Sequence, residues 1–260
     1  MATIPPTRRV LDFLTRATSG GAEANLEQLF EIFELPRSES TLGKVACVEE
    51  LLSGMGLRLV PDLRKGEVDS PRRVVSRELR TITPGIAMAE ITGGESSNLE
   101  LKSSLMYNHA RALGGSGASV TDLRSDEVIH SALKSVAAFL TSGGGVLYIG
   151  VADDCSLLGI GFDFKLLSAD RQNEDGWELQ LRNLIKGNFK DGDNVNDYVQ
   201  LRFIHIDGLC IARAEVGPRS KLSFLKHRNT YHLFRRQGNR TEELTIDQIE
   251  EFLAVRAAST

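Results

Sequence analysis

Hydrophobic positions fall at helical spacing in the first part of the chain. Leu26, Leu29, Phe30 and Phe33 share one face of a helix that Asn25 can cap and Pro36 ends. Leu42, Val45, Val48 and Leu52 mark a second amphipathic segment over about 41–53, stopped by Gly54 and Gly56. Leu57-Arg58-Leu59-Val60 then reads as a short strand before Pro61. Residues 1–75 are therefore expected to form a small helical module. Helices followed by a small strand suit a winged-helix-like unit, and equally a plain helical subdomain packed on its neighbour. Residues 76–94 read as a connector, part of a stretch from about residue 70 that contains Arg72, Arg73, Arg77 and Arg80, with Pro84-Gly85 and Gly93-Gly94 as breaks.

From residue 95 the pattern changes period. Leu99 and Leu101 alternate with Glu100 and Lys102, as a strand does. Ile129, Leu133, Val136, Ala137 and Leu140 return to helical spacing, and Ser142-Gly143-Gly144-Gly145 closes that helix. Val146-Leu147-Tyr148-Ile149-Gly150-Val151 is apolar throughout, the mark of a strand covered on both faces. Trp177, Leu181, Leu184 and Ile185 predict a further helix. Asp207-Gly208 between two alternating runs is a hairpin signal. Residues 231–236 read as one more strand, and Thr245 with Gln248 as a capping box opening a last helix. The expected class is α+β, a mixed sheet with covering helices over 95–256.

Composition narrows the function. A chain of 260 residues, 41% hydrophobic and 25% charged, is neither disordered, collagenous nor coiled coil. It has no apolar run long enough to span a membrane, and its first residues lack the apolar core of a signal peptide. Cys47, Cys155 and Cys210 are odd in number and far apart, so they read as reduced thiols of a cytoplasmic protein. The net charge of -4 argues against a wholly basic nucleic-acid coat. Yet Lys221, Lys226, Arg228, Arg235, Arg236 and Arg240 follow Arg219 with no acid among them. Arg235, Arg236 and Arg240 around Gly238-Asn239, with Lys226, Arg228, Tyr231 and Phe234 nearby, suit contacts to a nucleic-acid backbone.

Common catalytic signatures are missing: there is no Gly-x-x-x-x-Gly-Lys loop, no His-x-x-x-His pair and no Gly-x-Ser-x-Gly elbow. The remaining chemistry lies in acids at strand edges. Glu95 precedes the Leu99–Leu101 run, Glu100 lies within it, and Asp153 and Asp154 follow the buried strand. Carboxylates at such a rim can converge on a hard divalent cation, or can be solvated surface.

Glu95-Ser-Ser-Asn-Leu-Glu100-Leu-Lys102 resembles the opening motif of the Schlafen family's AlbA-like domain. The run from Val136 to Val151, then Asp153-Asp154, Leu158-Gly159, Asp175-Gly-Trp177 and Phe234-Arg-Arg-Gln-Gly-Asn239 follow in the family's order over about 90–256. The resemblance implies a metal-dependent endoribonuclease acting on structured RNA, especially transfer RNA, as in bacterial defence. It implies Mn²⁺ or Mg²⁺ on Glu95, Glu100 and Asp153, with Lys102 as their basic partner. It equally admits a non-catalytic DNA- or RNA-binding regulator, since many family members are described only as DNA-binding. Ala152 departs from the family, which carries an acid there. Since animal members face two such lobes across a groove and this chain holds one, a homodimer is expected.

Overall fold

The computed structural model describes residues 7–18, 23–54, 57–60, 71–76, 82–114, 119–219 and 221–258. Its N-terminal part runs α1 (Arg8–Thr18), β1 (Glu23–Ala24), α2 (Leu26–Ile32), α3 (Thr41–Gly54), β2 (Leu57–Val60) and β3 (Arg72–Ser76). The strands pair antiparallel in the order β1-β3-β2. Asn25 and Gln28 form a reciprocal cap at α2, each side chain accepting from the other's backbone N–H at 2.9 Å. Phe13, Leu29, Val45, Val48, Leu52 and Leu59 fill a core of their own.

Two parts of the expected connector and its approach are regular structure. Arg72 and Arg73 belong to β3, and Arg72 is 1% exposed. Pro84-Gly85, read from sequence as a break, instead opens α4 (Pro84–Thr92), with Thr83 as its cap. Proline is at home in the first helical turn because its missing N–H has no partner to lose there. Arg77 and Arg80 lie outside the described residues.

The larger part then runs β4 (Leu99–Lys102), α5 (His109–Leu113), α6 (Asp126–Thr141), β5 (Gly145–Ile149), α7 (Gly161–Phe164), α8 (Glu174–Asn188) and α9 (Gly192–Asn196). It continues through β6 (Val199–Ile206), β7 (Leu209–Val216), β8 (Leu225–His227), β9 (Thr230–His232), β10 (Phe234–Gln237), β11 (Arg240–Glu243) and α10 (Ile246–Ala258). The central sheet is mixed, ordered β4-β5-β7-β6, with only β4 and β5 parallel. A parallel pair needs a crossover, and α6 supplies it.

Each face of this sheet carries an apolar layer. Leu147, Ile149, Ala212 and Ala214 pack with Val136, Ala137 and Leu140 of α6 and with Trp177, Leu181 and Ile185 of α8. On the opposite face Leu101, Tyr148, Ile204, Ile206 and Ile211 meet Ala87 and Ile91 of α4. The residues predicted as one strand over 231–236 are two. Buried Leu233 separates β9, which pairs with β8, from β10, which pairs with β11. Both hairpins pack on α6. Among the described residues no helix is long and apolar enough to cross a membrane.

One buried acid fixes the loop that leaves β4. Asp163 of α7 is 0% exposed. Its carboxylate accepts from Ser104 Oγ, from the backbone N–H groups of Leu105, Met106 and Tyr107 at 2.9–3.0 Å, and from Trp177 Nε1 at 3.1 Å. Five donors around one carboxylate offset the cost of burying it.

Candidate functional site

Two of the predicted acids, Glu95 and Glu100, gather at β4, an outermost strand of the central sheet. Alternation along a parallel strand sends the backbone groups of Asn98, Glu100 and Lys102 toward β5 and those of Leu99 and Leu101 outward. Val146 N–H bonds the Asn98 carbonyl at 2.8 Å, and Gly150 and Val151 both donate to the Lys102 carbonyl at 2.8 and 3.1 Å. The outward groups find other partners. Glu95 is exposed, and its Oε1 accepts from the Leu101 N–H at 3.1 Å. The Leu99 carbonyl takes the Ser96 N–H at 2.9 Å, and Arg236 reaches both the Leu99 and Ser96 carbonyls.

Glu100 points from β4 onto the face covered by α6 and is 8% exposed. Its Oε1 receives Lys102 Nζ at 2.6 Å and Ser135 Oγ at 3.4 Å, and its Oε2 receives Arg236 Nη1. Lys102 also donates to the Leu101 carbonyl at 3.0 Å. One carboxylate is thus held by two cations. The Arg236 guanidinium lies 5.2 Å from the Phe139 ring centroid, bonds Thr241 Oγ1 at 3.1 Å, and its side chain is 2% exposed. Its backbone N–H bonds Ser142 Oγ at 2.9 Å.

Asp153 lies elsewhere. It follows Val151 in a tight turn closed by Ala152 N–H to the Ser156 carbonyl at 2.9 Å, and it is exposed. Its neighbour Asp154 is committed to Ser156, whose N–H and hydroxyl it accepts at 3.0 and 2.6 Å, and these bonds hold its carboxyl below the usual range. Gly150 permits the turn: its φ is +94°, and a Cβ there would lie 2.9 Å from the Gly159 carbonyl carbon.

The expected ion does not fit this arrangement. Among the described residues, Glu95, Glu100 and Asp153 do not form a group with ligand atoms within 4.8 Å of one another. Glu95 Oε1 is bonded to backbone and both Glu100 oxygens to Lys102 and Arg236, so three of the four oxygens these two glutamates could offer a divalent cation are already engaged. The structure joins Glu100 and Lys102 on β4, bonds Glu95 to the same strand from the segment before it, and leaves Asp153 separate. Arg236, missed as their partner because it is distant in sequence, belongs with them.

The basic residues divide as well. Arg236 is buried against Glu100, so it is not a surface contact for phosphate. Arg235 is half-buried and paired with Glu242 at 2.9 Å. Lys226, Arg228 and Arg240 are exposed. Arg228 and Asn229 have φ of +46° and +68°, a tight turn that brings β8 back as β9 and sets Lys226 opposite exposed Tyr231.

Comparison with known proteins places the larger part of the chain. The family model described as Schlafen, AlbA_2 matches residues 95–245, which include every acid and basic residue of this site. The chain is also similar to the crystal structure of the DIP2311 protein from Corynebacterium diphtheriae. That similarity has a TM-score of 0.43 at 14% identity, covers 69% of this chain and spans 29% of that one. A search of curated proteins finds no match.

Proposed function

Because the chain belongs to the Schlafen, AlbA_2 family, we propose that it binds structured RNA through backbone phosphates, with transfer RNA the favoured class. The β8–β9 hairpin carries this reading. Exposed Lys226 stands opposite exposed Tyr231 and exposed Arg228 lies in the tight turn between them, on an otherwise acidic chain. Cations supply sequence-independent phosphate contacts and an aromatic face can stack an unpaired base. Arg240, at the turn of the second hairpin packed on α6, extends the basic surface. In this reading Glu95, Glu100 and Lys102 hold the sheet together. The protein works in the cytoplasm, with its cysteines free. It acts as a homodimer, which doubles a small basic surface.

A second reading, a Mn²⁺- or Mg²⁺-dependent endoribonuclease, is favoured by the parallel register of β4 and β5. That register sets Lys102 opposite Ile149 and brings the turn with Asp153 to the same end of the sheet. It requires Glu100 to leave Arg236. Labelled transfer RNA and single-stranded DNA, incubated with the protein with and without Mn²⁺, decide between the readings. Binding of intact transfer RNA, unchanged in Asp153→Asn, supports the first. Mn²⁺-dependent cleavage that disappears in Asp153→Asn replaces it with the second, preference for DNA moves it to a DNA regulator, and failure to bind either polymer overturns it. Light scattering that returns a mass near 28.5 kDa rules out the dimer.

A further inference from the structure

Three side chains, two on the far strands of the central sheet and one on the helix α8 that covers them, play no part in the site above. His205 near the end of β6 and Cys210 near the start of β7 face each other in register across the Asp207-Gly208 turn. Both lie on the face that α8 covers, where Glu174 opens the helix. Glu174 Oε1 is 3.1 Å from His205 Nε2 and 3.6 Å from Cys210 Sγ, and one ligand atom from each residue lies within 4.8 Å of the other two. This is the only group of its kind among the described residues.

From this geometry we infer that Glu174, His205 and Cys210 form a binding site for a zinc-class divalent ion, with water as the fourth ligand. Ligands at 2.0–2.3 Å around a tetrahedral ion stand about 3.3–3.8 Å apart, so small side-chain adjustments bring these three into place. A thiolate and an imidazole select zinc-class ions over Mg²⁺ or Mn²⁺, which prefer oxygen. The carboxylate and thiolate together balance the ion's two charges, and the thiol proton passes to solvent on binding. His205 is 63% exposed at its side chain, which leaves a solvent side for the water.

The scaffold around the site is fixed. Asn173 caps α8 by accepting the Gly176 N–H at 2.8 Å, and Trp177, one turn on from Glu174, is tied to Asp163. The Cys210 carbonyl accepts from the Ile160 N–H at 2.8 Å. Backbone held in this way lets the ligands meet an ion without refolding. The site stands two to three strands from β4, about 10–14 Å across the sheet, so it is separate from the acids there.

Cobalt(II) titrated into the reduced, metal-free full chain tests the site. One equivalent is expected to raise a thiolate-to-cobalt charge-transfer band that Zn²⁺ then abolishes. Cys210→Ser should lose the band, while Cys47→Ser, Cys155→Ser and Asp153→Asn keep it. His205→Asn, a change at an exposed position that leaves the fold intact, should weaken binding at least about tenfold. The site is overturned if wild type gives no band, if the band survives in Cys210→Ser, or if His205→Asn binds as tightly as wild type.

Discussion

Arg236 of β10 donates to the buried carboxylate of Glu100 on β4, across 136 residues of sequence. The bond joins the C-terminal hairpins to the central sheet at its outermost strand. Phe139 lies beneath the guanidinium and Lys102 beside the carboxylate, so little water reaches either partner.

Removing one partner of this pair should therefore cost stability. Glu100→Ala, which strands the buried Arg236, is expected to lower the free energy of unfolding by about 3–5 kcal/mol, and Arg236→Met, which leaves Glu100 its Lys102 partner, by less. The double substitution should cost clearly less than the two singles together. Urea unfolding of the four proteins measures the coupling, and strictly additive losses would show that the pair contributes nothing.

The exposed cations should reveal themselves in salt dependence. Each of Lys226→Ala, Arg228→Ala and Arg240→Ala is expected to flatten the slope of log affinity for RNA against log salt by about 0.7–0.9 for every phosphate the variant leaves unneutralised. Arg235→Ala should change it less, because Glu242 already holds that guanidinium. Fluorescence anisotropy across a salt series reads the slopes, and three slopes equal to wild type would move the RNA-binding surface away from these hairpins.

Acid should weaken the packing of the hairpins on α6. His130 stacks on His227 with ring centroids 4.0 Å apart, and its pKa is lowered from 6.5 to about 4, first by burial and then by His227, Lys134 and His232. Glu243, which His232 meets at 2.6 Å, acts in the opposite direction. Between those values the unfolded chain binds a proton that the folded one does not. This histidine's contribution therefore falls as pH drops from about 6.5 to about 4 and is fully lost below that. His130→Phe should flatten the decline, as denaturant midpoints at pH 7 and pH 5 would show; an unchanged decline would place its origin elsewhere.

What could be read from the sequence was local. Asn25 and Gln28 stand three apart and cap a helix, and Asp207-Gly208, with φ of +50° and +78°, turns a hairpin where its residue types require one. The elements missed were those whose signal is tertiary. β3 begins with two arginines and is a strand because β1 and β2 pair with it on either side, while α4 begins with a Pro-Gly pair that resembles a turn until Thr83 caps it. The acids were found because they crowd one short segment. Their neutralisation by Arg236 was not legible, since nothing in a run of basic residues marks which of them turns inward. Asp163, which organises the loop after β4, was invisible for the same reason: its five donors come from two distant segments.

The chain's own occupation of β4's outer side bears on how copies of this protein can meet. A bare outermost strand is a template on which a foreign strand can zip, and sheets left that way polymerise. Here Glu95 takes the Leu101 N–H, Arg236 the Leu99 carbonyl and Lys102 the Leu101 carbonyl, so an approaching strand finds these outward groups already engaged. Two copies cannot fuse their sheets into one through β4, and a peptide cannot be captured there by lengthening the sheet. A two-fold pair must instead dock side chains against side chains, which leaves β4 and its acids with the same neighbours in monomer and dimer.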